Sequence, residues 1–186
     1  MPKATRFTTK YVSAEDRIQL LIELSQEEIQ VLWITRRLFN RLLPHLFDHL
    51  GKTGTTVVST DTNPSDVGGG IDPQQANAVQ RFSQEAAVSA LTSQPSVGAS
   101  GQKPANNVSY VVTSVDVRFS KKGVVLDLKS GEDILHKLPL AEDALRQWLS
   151  IVYSQYKAGN WQERFWPVWI GPASSSKQQA DEPLLN

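Results

Sequence analysis

The same order of apolar and polar positions occurs twice along the chain. In residues 7–50, three short runs with strand-like phase precede a run with apolar residues at helical spacing, and residues 111–156 repeat this order. An offset of 104 residues places Leu20 on Val124, and the offset becomes 106 after a turn that is two residues longer in the second copy. Because burial depends on phase more than on residue identity, the pattern predicts two β-β-β-α units.

Alternating or continuous apolar runs bounded by turn residues mark the predicted strands. They lie at 7–12, 18–24, 29–34, 108–119, 124–128 and 134–140. Thr35 is a suitable N-cap for the first helix, which should kink or split at Pro44 and end at Gly51. The second helix should begin at Glu142 and end before Gly159.

Short turns between the strands predict antiparallel pairing of neighbours. The expected fold is therefore α+β, a single domain over residues 1–172. In it, an internal duplication of a β-β-β-α unit, at 7–50 and 108–158, forms one antiparallel six-stranded sheet or a small sandwich. Both helices should cover apolar faces, and a pseudo-two-fold axis should relate the two copies.

The region between the copies, residues 51–107, has a different composition. Its segments 52–71 and 95–107 are rich in small and polar residues and are expected to be mobile linkers. A helix is predicted between them at 74–93, after the N-cap and proline pair Asp72-Pro73. The apolar residues at helical spacing in it are Ala76, Val79, Phe82, Ala86 and Ala90. The pattern leaves open whether this inserted helix docks on the domain or projects from it.

The composition narrows the functional classes. The 186 residues include 19 Lys and Arg against 19 Asp and Glu, so the chain lacks the cationic excess that general binding to nucleic acid or anionic membrane requires. No apolar run approaches the ~20 residues of a membrane helix, and no apolar signal core follows the first residues. Cysteine is absent, which excludes disulfides and thiolate chemistry. We expect a soluble cytoplasmic protein without membrane association, and a disordered polar tail at 173–186.

One histidine pair has the spacing of a metal site. His45, Asp48 and His49 form H-x-x-D-H, which on a helix places both imidazoles on one face and can hold zinc. No third ligand stands out, and the second copy has Ile151 and Gln155 at the matching positions, so a solvated helix end is favoured. The sequence contains no recognisable cofactor fingerprint, Ser/His/Asp set or carboxylate pair. We therefore predict no cofactor, no metal and no enzymatic activity.

Two arginines begin the first helix, where cations oppose the helix dipole at a typical cost of ~0.3–1 kcal/mol each. Together with the N-cap and free backbone N–H groups they could hold an anion or an acidic surface. This candidate anion-binding set is Thr35, Arg36, Arg37 and Arg41. The alternative, which we favour, is ion pairing with Glu27 or Glu28 across the preceding turn.

Large aromatic rings crowd the segment near the end of the chain. The candidate partner-binding residues there are Trp161, Phe165, Trp166 and Trp169. An irregular segment this aromatic must bury its rings, either by closing the core of its own domain or against a second subunit or another protein. Closing the core is somewhat favoured, and both can hold.

Two classes of function follow. The first is a non-enzymatic protein for interaction, structure or assembly, with a protein partner or a second subunit. The second, less favoured, is a module that binds an anion or nucleic acid through Arg36, Arg37 and Arg41.

Overall fold

The computed structural model describes residues 6–24, 28–56, 73–92 and 106–171, and within these ranges the fold is α+β. The strands are β1 (Arg6–Val12), β2 (Arg17–Glu23), β3 (Glu28–Ile34), β4 (Asn106–Val111), β5 (Ser114–Ser120), β6 (Gly123–Ser130) and β7 (Asp133–Ala141). The helices are α1 (Arg36–Thr56), α2 (Pro73–Thr92) and α3 (Glu142–Ala158). The predicted linkers at 52–71 and 95–107 fall mostly outside the described residues, and the predicted tail at 173–186 falls wholly outside them.

The strands form two sheets, so the first of the two predicted arrangements, one antiparallel six-stranded sheet, is wrong. The first sheet has four strands in the order β1-β2-β3-β4, and the second has three in the order β5-β6-β7. Pairing is antiparallel throughout except between β3 and β4, which run parallel. A parallel neighbour needs a long crossover, and the chain supplies one in α1, α2 and their connections.

The predicted strand at 108–119 is divided between the two sheets. The Val112 N–H donates to the Trp33 carbonyl of the first sheet at 2.9 Å, and the Thr113 N–H donates to the Lys129 carbonyl of the second at 2.8 Å. The chain therefore leaves one sheet and enters the other between adjacent residues. The apolar positions change from even numbers, at Val108, Tyr110 and Val112, to odd numbers from Val115 onward. This break in the alternation coincides with the change of sheet, and the prediction of one continuous strand overlooked it.

Helix α1 continues through both residues that were expected to interrupt it. Pro44 lies inside the helix, and the helix passes Gly51 to reach Thr56. Leu43, Leu46 and Leu50 are fully buried on both sides of the proline. This burial holds the helix against the core, and tertiary packing thereby outweighs the local propensity.

Helix α1 follows strands β1 to β3, and helix α3 follows strands β5 to β7. Each of these two helices also contacts a strand of the other three-stranded unit. Helix α3 packs on β6 and β7 and also on β1, where the Trp148 Nε1–H donates to Thr9 Oγ1 at 3.0 Å. Helix α1 reaches β5, where the ring centroids of His49 and Phe119 lie 4.7 Å apart. The two sheets consequently share one hydrophobic core.

Strand pairing corrects the alignment of the two halves. Leu20 pairs with Leu32 in the first half, and Leu126 pairs with Leu138 in the second. The offset between paired positions is thus 106 for β2 as well as β3, and Leu20 corresponds to Leu126 rather than Val124. The length difference lies in the first turn, which has four residues between β1 and β2 but two between β5 and β6. The error is an even number of residues, so Val124, Leu126 and Leu128 stayed on the face predicted to be buried.

The turn into β6 provides a test of the packing. Gly123 has φ +139°, and a Cβ there would overlap the Leu140 carbonyl oxygen and lie 2.8 Å from the Ala141 Cα. We expect Gly123→Ala to lower the free energy of unfolding by about 3 kcal/mol or more. The matched control is Gly131→Ala, at φ +60° with nothing within 4 Å of the added Cβ, which should cost about 1 kcal/mol. Urea denaturation of both variants measures the difference, and equal losses would contradict the steric argument.

Candidate interaction site

The aromatic segment starts from a tight reversal at the end of α3. The Trp161 N–H donates to the Tyr156 carbonyl at 2.9 Å, and the Asn160 N–H donates to the Lys157 carbonyl at 3.1 Å. Asn160, at φ 52°, occupies the left-handed position, and the rings of Trp161 and Tyr156 lie 5.0 Å apart. These are the two hydrogen bonds and the apolar contact of a Schellman motif. Gly159 is the cap residue, and its missing side chain allows Tyr11 to approach, since a Cβ would lie 2.9 Å from that ring.

The four aromatic residues predicted to bind a partner pack mainly inward. Trp161 and Trp169 are buried, and Phe165 and Trp166 are half-buried against the same core. The ring centroid of Phe47 in α1 lies within 6.3 Å of the ring centroids of Phe165, Trp166 and Trp169. The segment thus closes the core between α1 and α3, and contact of these rings with a partner stays a prediction.

One edge of this segment is fixed by Asp16 in the β1–β2 turn. Its Oδ1 accepts hydrogen bonds from the Trp161 Nε1–H at 2.9 Å and from the Tyr11 hydroxyl at 2.8 Å. The bonds from Trp161 and Tyr11 hold the pKa of Asp16 below its usual value. Asp16 has φ 46°, a left-handed conformation that Asp tolerates in turns.

Glu163 joins the segment to the start of α1. Its Oε1 accepts from Asn40 Nδ2 at 2.8 Å and from Arg36 at 2.6 Å, and Asn40 Oδ1 in turn accepts from the Tyr156 hydroxyl at 2.8 Å. These bonds, from Asn40 first and Arg36 second, lower the pKa of Glu163. Burial raises the pKa of Tyr156. Near neutral pH, Glu163 stays ionised and Tyr156 stays protonated, so this cluster suits anchoring better than proton transfer.

Two members of the candidate anion-binding set have partners within the protein, and anion binding by the set stays a prediction. Thr35 Oγ1 accepts from the Leu38 N–H at 3.2 Å, as an N-cap does, and Arg36 is committed to Glu163. Arg37 and Arg41 are exposed on the surface of α1. The ion pair that the sequence favoured for Arg36 therefore exists with a different partner, 127 residues away. That partner lies in a segment without regular structure, where sequence pattern gives no register.

The histidine motif does not assemble a metal site in the part of the chain that the structure describes. His45 is exposed, while the ring of His49 packs on Phe119. Across the described ranges, no three His, Asp or Glu side chains are grouped so that they could hold a metal ion.

One candidate surface was not found from the sequence: the outer edge of β4. The strands at the ends of the two sheets are β1, β4, β5 and β7. Three of them carry charged residues, and β7 also carries a proline, whereas β4 reads Asn-Asn-Val-Ser-Tyr-Val. Charges and prolines on an edge strand discourage pairing with another chain, and β4 has neither. The signal is present in the sequence but was hidden by merging β4 with β5.

Apolar side chains on β4 are open to solvent. Val108 is 46 % exposed, Tyr110 is 38 % exposed and Val111 is exposed as well. Within the described residues, β3 is the one strand hydrogen-bonded to β4. The other side of β4 therefore offers backbone donors and acceptors flanked by apolar side chains.

No protein-family model, curated protein or solved structure matches the chain significantly. Among the residues that the structure describes, no helix combines the length and the apolar character needed to cross a bilayer.

The neighbouring arginines of α1 give a matched test of the Glu163 anchor. At pH 7 we expect Arg36→Gln to lower the free energy of unfolding by about 0.5–1 kcal/mol relative to Arg37→Gln, because among the described residues Arg36 forms an ion pair and Arg37 does not. Since folding lowers the pKa of Glu163, this difference is fully present above its unfolded pKa of about 4.3. It disappears as pH falls through the lower folded pKa. Urea titrations of both variants between pH 7 and pH 2 measure it, and a difference that persists in acid would contradict the assignment.

Proposed function

We propose that this chain is a non-enzymatic interaction or assembly subunit that associates with a second copy of itself through β4. One observation carries the proposal: β4 is a sheet edge that has exposed apolar side chains and neither charge nor proline. An extended strand is the structure that satisfies such an edge, since it supplies main-chain hydrogen bonds along its whole length.

The sequence of β4 supports a second copy as the occupant. In an antiparallel pair related by a two-fold axis through Ser109, Val108 of each chain lies opposite Tyr110 of the other. Pairs of β-branched and aromatic residues are among the stabilising cross-strand pairs. A strand with no charge also meets its own copy without repulsion, whereas Lys10 in β1 or Asp116 in β5 would place like charges close together.

The aromatic segment is a second surface for the same class of function. Its rings close the core, but Val168 is 76 % exposed beside Trp169. A partner would meet Val168 and the open edges of Phe165 and Trp166. Enzymatic activity, a cofactor and a metal form no part of the proposal.

We also infer that the chain is an internal duplication, so that the association would join four related units. The cross-contacts of the two helices support this. The Tyr11 N–H donates to Gln155 Oε1 at 2.8 Å, joining β1 to α3, and His49 packs on Phe119, joining α1 to β5. In the corrected alignment Tyr11 corresponds to Phe119 and His49 to Gln155, so the two contacts are counterparts.

Two valine-to-lysine changes test the interface. We expect light scattering after size exclusion to give twice the 20.6 kDa mass of one chain for the unaltered protein. Val108→Lys should give a monomer, because two lysines would lie beside the axis and the Val108–Tyr110 pairs would be lost. Val168→Lys is the matched control, with the same change at an exposed valine, and should remain a dimer.

The remaining outcomes also discriminate. If Val168→Lys dissociates the protein and Val108→Lys does not, the aromatic segment is the interface and β4 is not. If the unaltered chain is monomeric at all concentrations, self-association is excluded. Circular dichroism of each variant establishes that it is folded.

A further inference from the structure

Helix α2 presents its polar side to the domain. Its most buried side chains are Gln80, Gln84 and Ala87, at positions i, i+4 and i+7. Phe82, in the apolar series that the sequence pattern identified, is 75 % exposed, and Ala86 and Ala90 of the same series are exposed too. Helix α2 therefore docks by a glutamine face, contrary to the usual orientation of an amphipathic helix.

Side-chain amides make the contacts. The Gln80 Nε2–H donates to the Leu50 carbonyl of α1 at 2.8 Å, and the Gln84 Nε2–H donates to the Arg146 carbonyl of α3 at 2.9 Å. The Gln147 Nε2–H of α3 donates back to the Ala87 carbonyl at 3.0 Å. Each such bond contributes little net stability, because water replaces it when the helices separate.

The centre of this contact is incompletely paired. Arg146 is only 1 % exposed, and its Nη2–H groups donate to Gln80 Oε1 at 2.8 Å and to Glu142 Oε1 at 2.9 Å. Its Nη1 and the Oε1 of Gln84 are buried without a hydrogen-bond partner among the described residues. A buried polar atom without a partner typically costs about 1–3 kcal/mol, and separation of the helices would return both atoms to water.

Two cavities flank the contact between α2 and α3. A cavity of about 490 Å³ opens on one side of it, next to Phe82, Ser83 and Arg146. A second cavity, of about 400 Å³, opens on the other side next to Gln84 and Trp169. Of the three side chains that α2 buries most deeply, only Ala87 is apolar, so the hydrophobic contribution to docking is small.

We propose that α2 is a reversible cover, which undocks as a unit from α1 and α3 while the core of two sheets and two helices stays folded. Undocking exposes Arg146 together with the Trp169 ring, which lies 5.7 Å from its guanidinium carbon. Small apolar burial and unpaired polar groups are the features of elements that open at lower free energy than the whole fold. This proposal is independent of self-association through β4.

The absence of cysteine makes a direct test available. Ala87→Cys places a single thiol in the α2 contact, and Val152→Cys places one in the core face of α3, where the native side chain is fully buried. We expect the thiol at position 87 to react with a disulfide reagent at least about a hundredfold faster than the thiol at 152. Its rate should also depend only weakly on urea, because little surface is exposed by the opening. Equal rates with equal urea dependence would show that α2 opens only by global unfolding and would overturn the proposal.

A second pair of changes tests the cause. Adding Gln84→Leu to Ala87→Cys removes the unpaired Oε1, and labelling should slow by roughly tenfold. Gln75→Leu, at an exposed position on the same helix, should leave the rate unchanged. Faster labelling with Gln84→Leu would contradict this explanation. It would show that the hydrogen bond made by Gln84 holds α2 in place more strongly than its unpaired Oε1 destabilises the contact. Hydrogen exchange of the unaltered chain is an independent check, since peptides from α2 should exchange before those from α1 and α3.

Discussion

The crossing of α3 onto β1 is the contact on which the single core depends. Trp148 extends from α3 to Thr9 of β1, and its ring lies 6.1 Å from that of Phe39 in α1. One buried side chain thereby touches the first strand, the first helix and the last helix. Without this crossing, each three-stranded unit would have only its own helix, and a three-stranded sheet with one helix buries little apolar surface.

The two sheets differ in how their edges are controlled. In the second sheet, Asp127 of the central strand β6 accepts from Arg118 of β5 at 2.9 Å and from Lys137 of β7 at 3.2 Å. These charges favour one register and at the same time place cations on both edge strands, which discourages pairing with other chains. Strand β4 has no such group. The edge strands therefore differ in their side chains and not in their backbone geometry. Of the four, β4 is the one best suited to pair with a strand from another chain.

The sequence predicted the elements better than their partners. Period-two and helical patterns identified β1 to β3, β6, β7 and all three helices, because these patterns reflect which face is buried. The sequence did not predict that β4 pairs with β3, because an alternating pattern does not indicate whether a strand pairs with its neighbour in sequence or with one 78 residues earlier. The sequence also did not identify which face of α2 is buried, for a different reason. Buried glutamines look polar in a sequence, and only the Leu50 and Arg146 carbonyls that accept from them make their burial acceptable.

Among the candidate site residues, the burial of the aromatic rings was easier to predict than the partners of the charged residues. Trp161 and Trp169 had to be buried because of their size, whereas the partner of Arg36 depended on the path of an irregular segment. Glu163 reaches Arg36 only because Asn160 reverses the chain after α3 and Trp161 bonds to Asp16. Each of these steps is local, but the distance between Arg36 and Glu163 is set by all of them together.

Two polar clusters, near opposite ends of α3, differ in how completely their members are paired. Around Glu163, the carboxylate accepts from Asn40 and Arg36, and the Asn40 carbonyl oxygen accepts from Tyr156. Around Arg146, the guanidinium and a glutamine each keep a buried atom without a partner. The aromatic segment next to the first cluster also has an unpaired buried atom, Trp166 Nε1, but its large rings are packed in the core. The second cluster lies under a helix that buries mainly glutamine. Similar side chains therefore hold the aromatic segment in place and leave α2 weakly held, since a polar network stabilises a contact only when its members are satisfied.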